Sequence, residues 1–196
     1  MVEIYRTDQQ VLSTLDDIQD GCWINMVDPT SKELEQIAER FEIEPEDIAS
    51  ALDEEESSRI SLEDGYTLIL VDIPTPEVRH EKKMYTTIPL GIILKSDAII
   101  TVCKVDTPII NYFIRNKVRE FSTKKKMRFI YQMLFRSAFV YQANLRLIDK
   151  KRIEIEERVD GDTSDTDLIE LHELESTLVY FCLLYTSPSP RDSTSS

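Results

Sequence analysis

Residues 52–74 read LDEEESSRISLEDGYTLILVDIP, and the rest of the chain is arranged around them. The acidic run Asp53 to Glu56 marks a helix end that leads into a short strand, Arg59 to Leu62. Asp64-Gly65 is a tight-turn pair of the kind that joins two hairpin strands. Tyr66 to Ile73 follows, apolar at nearly every residue and β-branched or aromatic at several. A run of that kind requires cover on both faces, which predicts a central strand.

Upstream, Val2 to Arg6 alternates weakly and reads as an edge strand, and Cys22 to Val27 reads as a second strand after Gly21. Asp28-Pro29-Thr30-Ser31 breaks that run. Thr30 and Glu33 stand at capping-box spacing, and Glu33 with Glu35 makes the first helical turn acidic, in keeping with the helix dipole. The stripe Leu34, Ile37, Ala38 and Phe41 has helical spacing. Pro45 opens a second short helix, Glu46 to Leu52. Downstream, Thr86 to Leu94 and Ala98 to Lys104 form an antiparallel hairpin about Lys95-Ser96-Asp97. The polar piece Thr75 to Lys83, which contains Pro76, reads as an exposed loop.

From Thr107 the period becomes helical. Ile109, Ile110, Phe113, Ile114 and Val118 make one face; Arg115, Lys117 and Arg119 stand opposite. Lys124-Lys125-Lys126 and Arg128 extend this basic side, which is either a solvated surface or a docking face for an acidic neighbour. A long helix then runs from Met127 to Val159, about 50 Å at ~1.5 Å per residue. Its stripe is Ile130, Leu134, Ala138, Tyr141, Leu145, Ile148, Ile155 and Val159. A second helix carries Leu168, Leu171, Leu174, Leu178 and Phe181, and the two make an antiparallel hairpin. The expected fold is therefore α+β, an α/β/α layered mixed sheet over 1–125, followed by the helical hairpin over 126–181. Residues 182–196, rich in Ser, Thr and Pro, are expected to be disordered, and the run from Leu183 to Ser196 resembles the read-through of a sequencing adaptor, which implies a non-native tail.

The net charge of −14 in 196 residues is the dominant global property. Such a field repels phosphate backbones, so nucleic acid is not an expected partner, and it attracts cations. The 3 cysteines include no Cys-x-x-Cys pair, and Cys22 and Cys103 sit in strand-like runs as small core residues. No window approaches the ~18 apolar residues of a membrane span, so the chain by itself is expected to be soluble. Gly-rich phosphate loops and a Gly-x-Ser-x-Gly elbow do not occur. His172-Glu173 lacks the second zincin histidine, since position 176 is Ser, and the acidic stretch from Asp160 lacks the Gly and Glu of a calcium loop. No enzyme reading follows. Carboxylate density is what remains: Asp53 to Glu56, Glu77 with Glu81, and the series from Glu154 to Glu175. Hard cations take oxygen ligands, and magnesium uses only one or two carboxylates beside its waters.

Three stretches stand in order: Trp23-Ile-Asn-Met-Val-Asp-Pro-Thr30 with the helix after it, Leu52-Asp53 leading to Arg59-Ile60 and Asp64-Gly65-Tyr66, and Val71-Asp72-Ile73-Pro74. With the charged helix pair that follows, they resemble the cytoplasmic part of the CorA family of magnesium transporters. The resemblance covers about residues 1–181. It implies a homopentamer at the cell membrane, with this domain on the cytoplasmic side and the membrane helices and their Gly-Met-Asn tripeptide outside the chain. By the same resemblance the chain is a Mg2+-sensing and gating domain, unable to transport alone. Magnesium (or another divalent cation such as cobalt) is its regulatory ion, bridging carboxylates of adjacent subunits. Alignment by Tyr66 places one of those carboxylates at Glu77; the other lies on the stalk beyond this chain. The residues by themselves also allow another class, an acidic module whose helical hairpin binds a partner helix.

Overall fold

A computed structural model describes residues 1–79 and 82–159 and, further on, Ile169, His172, Leu174, Glu175 and Leu178, the side chains of 76–85 and 158–159 excepted. The strands are β1 (Val2–Asp8), β2 (Val11–Leu15), β3 (Cys22–Val27), β4 (Arg59–Glu63), β5 (Tyr66–Arg79), β6 (Lys82–Leu94) and β7 (Ala98–Cys103). The helices are α1 (Ser31–Phe41), α2 (Pro45–Ser50), α3 (Pro108–Ile114) and α4 (Lys126–Val159). The chain divides into two compact units, one of Met1–Thr75 with Thr87–Ser137 and one of Pro76–Thr86 with Ala138–Ser196.

The first unit is built on a mixed sheet with strand order β2-β1-β3-β7-β6-β5-β4. Its middle is the parallel pair β3 and β7, in register from Cys22 opposite Ala98 to Val27 opposite Cys103. Both strands are buried along almost their whole length, which is why CWINMV and AIITVC are continuous apolar runs. The expected α/β/α layering is what the sheet and helices form. Cys22, Ile24, Met26, Ile100 and Val102 point to one face and pack in one core with Ile37, Ala38 and Phe41 of α1 and Ile48 of α2.

The alternate residues serve the opposite face. There Trp23, fully buried, meets Phe129 of α4 at 5.0 Å between ring centroids, and Phe129 meets Phe121 at 4.6 Å. Phe113 of α3 closes the cluster at 5.2 Å from Phe121. Aromatic pairs in such tilted and edge-on geometry each add about 0.5–1.5 kcal/mol beyond area burial.

Several local expectations hold. Thr30 Oγ1 accepts the Glu33 N–H at 3.3 Å while Glu33 Oε2 accepts the Thr30 N–H at 2.8 Å, a complete capping box. Glu63 pairs with Tyr66 across Asp64-Gly65, and Gly65 takes φ +80°, a conformation that glycine adopts without a Cβ clash. Leu94 pairs with Ile99 across the Lys95-Ser96-Asp97 turn.

Four expectations give way. β1 is an inner strand between β2 and β3, and the edge is β2, whose short, weakly apolar VLSTL carries no strong strand signal. β5 is second from the other edge rather than central: Tyr66, Leu68 and Leu70 are buried, but Thr67, Ile69 and Val71 between them are half-buried. The piece 75–83, expected as a loop, continues β5 to Arg79 and begins β6 at Lys82, because pairing of neighbouring strands satisfies the backbone whatever the side chains are. On α4 the buried positions are Phe129, Ile130, Met133, Ser137, Asn144, Ile148 and Ile155, so the buried line runs one position before the expected Leu134, Ala138 and Leu145. Apolar residues on several faces of that helix blur the direction of its stripe. The second hairpin helix, most of its stripe, and residues 182–196 fall outside the described residues.

Candidate metal site

The acidic segment between α2 and β4 is held by its own turns. Asp53 Oδ1 accepts the Glu55 N–H at 3.0 Å. Lys104, just past β7, reaches Glu54 at 2.8 Å, and Arg59 at the start of β4 pairs with Glu56. The Glu54 partnership holds the Lys104 ammonium above the usual lysine range. Two of the four acids in this run are thus committed to cations of the same chain. The Lys104–Glu54 pair is exposed and screened by solvent, and the Arg59–Glu56 pair is half-buried.

Past Leu70, where its pairing with Arg59 ends, β5 is tied to the acidic segment by Ser58. The Ser58 hydroxyl donates to Asp72 Oδ2 at 2.8 Å and accepts the Asp72 N–H at 3.0 Å. Burial raises the Asp72 carboxyl above the usual aspartate value, against the lowering effect of the Ser58 hydroxyl. At the other end of the strand Tyr66 donates to Asp47 Oδ2 at 2.5 Å and accepts the Glu44 N–H at 3.3 Å, which locks α2 against β5. Burial first, and then the Asp47 carboxylate, push the Tyr66 phenol up to about 12. Neither cross-link was visible in the sequence, because the first depends on the β4–β5 register and the second on how α2 packs against β5.

Glu77 lies on the distal part of β5, in the second unit, and its side chain is outside the described residues. Glu81 is outside them as well. In the second half of α4 the carboxylates are interleaved with cations: Lys150 and Glu154 approach to 3.6 Å, Arg152 and Asp149 to 3.2 Å, and Arg152 also pairs with Glu156. His172 stands 3.8 Å from Glu175, both exposed. Of the acidic series from Glu154 to Glu175, residues 160–168, 170, 171 and 173 lie outside the described residues.

Among the described residues no group of three or more His, Cys, Asp or Glu could hold a metal ion. Among the described residues, then, no single cluster offers a metal its full set of ligands from one chain, and magnesium, which uses only one or two carboxylates beside its waters, does not require one. Cys22 and Cys103 are buried free thiols, and burial pushes Cys103 up to about 11, far from the range of a reactive thiolate. Among the described residues no helix is long and apolar enough to cross a membrane.

The fold is similar to several solved structures, among them these three. The complete CorA magnesium transporter from Methanocaldococcus jannaschii matches with a TM-score of 0.75 and 20% identity, over 97% of this chain and 64% of that one. The soluble domain of CorA from the same organism matches with a TM-score of 0.78 and 22% identity, over 97% and 81%. The cytoplasmic domain of ZntB from Vibrio parahaemolyticus RIMD 2210633 matches with a TM-score of 0.59 and 12% identity, over 91% and 78%. This chain thus spans 64% of the length of the complete transporter it matches. No curated protein matches its sequence. The model of one family, described as CorA-like Mg2+ transporter protein, matches residues 19–190, most of the chain. With the layered sheet and long helix found as that resemblance implied, the chain belongs to the family of CorA-like Mg2+ transporter proteins.

Proposed function

We propose that this chain is the cytoplasmic sensing and gating domain of a divalent-cation transporter, regulated by Mg2+ held between neighbouring copies. The family match over residues 19–190 carries the reading. The charge supports it: copies of a chain at −14 repel one another across any shared interface. A hard dication seated between carboxylates of two copies turns that repulsion into a bridge. Glu77 is the proposed contributor from this part of the chain, its partner being a carboxylate of the adjacent subunit. The whole protein is proposed as a homopentamer in the cell membrane, with this domain on the cytoplasmic side and the bilayer-crossing helices supplied by sequence outside residues 1–196. The domain alone does not transport; magnesium or another divalent cation such as cobalt is the cargo of the whole protein.

Weak sites suit such a sensor. Swinging a gate from 1:99 to 99:1 takes about 5.5 kcal/mol. One site at roughly ten times its dissociation constant supplies only about 1.4 kcal/mol, and five together about 7 kcal/mol. A pentamer with one weak site at each interface can therefore respond over a narrow range of free Mg2+.

Reading the intact gene onward tests the membrane assignment. Two apolar spans with a Gly-Met-Asn tripeptide between them are expected. A gene with no apolar span downstream contradicts it.

A further inference from the structure

The turn between β1 and β2 faces the segment 115–125, and two adjoining cavities lie there, of about 520 and 380 Å3. They share Gln10 and Glu120, so they form one groove. Lys124, Lys125 and Arg128 line the larger cavity, and Lys117 and Arg119 line the smaller; among the described residues the acids lining either are Asp8 and Glu120. Five cations against two carboxylates make a net +3 concentrated in one groove of a chain at −14. Glu120 is already paired with Arg128, which holds its carboxyl below the usual glutamate range. Among the described residues Lys117, Arg119, Lys124 and Lys125 make no salt bridge.

The groove is braced as well as charged. Among the described residues six non-glycine residues take positive φ, and four of them, Gln9, Gln10, Asn116 and Glu120, line this groove. Strained backbone of this kind persists only where its surroundings hold it. Here they do: Asn116 Oδ1 accepts the Leu12 N–H at 2.9 Å, and Thr7 and Thr123, both buried, exchange backbone-to-hydroxyl bonds of 2.9 and 3.2 Å. Lys124 runs its stem over Gly21, where a Cβ would come within 2.8 Å of Cγ. Lys126 is not part of the groove; its ammonium donates to the carbonyls of Lys95, at 2.7 Å, and Ser96. α4 starts at this place with no acid in its first turn, so its positive end adds to the field instead of being neutralised.

We propose that this groove is an anion site for a small molecule carrying two or more linked phosphates, gripped by Lys124, Lys125 and Arg128. The larger cavity is in the size range of small-molecule sites. Among the described residues, those lining it are all polar or charged, which suits phosphate oxygens, and none is an aromatic ring on which a nucleobase would stack. A long nucleic acid is disfavoured by the field of the whole chain, whereas a compact anion feels mainly the cations around it. The site is separate from the carboxylates of the proposed function and does not depend on that reading.

The test is calorimetric titration of the full chain with inorganic pyrophosphate, at low ionic strength and without divalent cations. Saturable binding of one pyrophosphate per chain is expected, weakening as sodium chloride is added. Lys124→Gln with Lys125→Gln keeps both stems and should weaken binding by about tenfold or more, each lost charge-assisted contact costing its share. Lys150→Gln, on the far part of α4, should leave binding unchanged. ATP should bind about as tightly as pyrophosphate, since only phosphates are read; binding of ATP without pyrophosphate overturns the proposal. So does unsaturable binding, or equal affinity in the double glutamine variant with its melting temperature intact. If the chain instead self-associates through these lysines and takes no pyrophosphate, the groove is a seat for an acidic segment of a second copy and the anion proposal fails.

Discussion

The indole Nε1 of Trp23 donates to Thr101 Oγ1 at 2.8 Å across the central parallel strand pair, and the Thr101 hydroxyl passes the bond on to Asn25 Oδ1 at 2.9 Å. All three residues are buried. One hydroxyl thus satisfies a donor and an acceptor in the dry middle of the sheet, one residue away from the aromatic cluster. Thr101→Val keeps the shape and removes both bonds. It should cost about 2–4 kcal/mol in urea unfolding, since each buried group left unpaired costs about 1–3 kcal/mol. Thr101→Ser should recover most of the loss. A valine variant as stable as the parent would show that the ladder contributes nothing.

Gly91 of β6 leaves room for α2. A Cβ built there would stand 2.6 Å from the Ala51 Cβ, with Leu70 and Val102 in ordinary contact at 3.6 and 3.7 Å. Gly91→Ala should therefore destabilise by about 1–3 kcal/mol, the usual cost of overpacking. Adding Ala51→Gly should restore part of that stability despite its own helix-end cost. Failure of the second change to help would place the strain elsewhere.

The capping box ties stability to pH. Thr30→Ala should cost about 1 kcal/mol. The Glu33 carboxyl lies below its ordinary value of 4.5, chiefly because it accepts the Thr30 N–H, then the Thr30 hydroxyl. A carboxyl lowered on folding stabilises the fold above its unfolded value and loses that contribution as pH falls through the folded one. Glu33→Gln should thus be less stable than the parent at pH 7 and converge on it below pH 4.5. A stability difference that persists unchanged at low pH would rule out the carboxylate as its source.

How much of this was readable from the residues depends on distance along the chain. Thr30 and Glu33 announce their cap because both partners lie within one turn, and the Asp64-Gly65 hairpin is equally local. The runs CWINMV and AIITVC identify buried strands, since only double cover tolerates so little polarity. Strand order is another matter. Whether Val2–Asp8 is an edge depends on Val11–Leu15 folding back against it, and no periodicity encodes that. Tyr66–Ile73 is as apolar as a central strand, yet one of its faces is only half covered. The groove cations were visible as a basic run, but the positive-φ residues Gln9 and Gln10 that complete the groove come from more than a hundred positions earlier. Glu77 came from family resemblance alone, because a two-carboxylate magnesium site has no spacing of its own.

The claim that magnesium seals like-charged copies together is tested most directly by following melting temperature and sedimentation mass of the chain with and without millimolar Mg2+, for the parent and for Glu77→Ala. The account predicts a higher melting temperature and a larger assembly with the ion, both diminished in the alanine variant. Superimposable melting curves with and without Mg2+, in a sample already assembled as a pentamer, would contradict it.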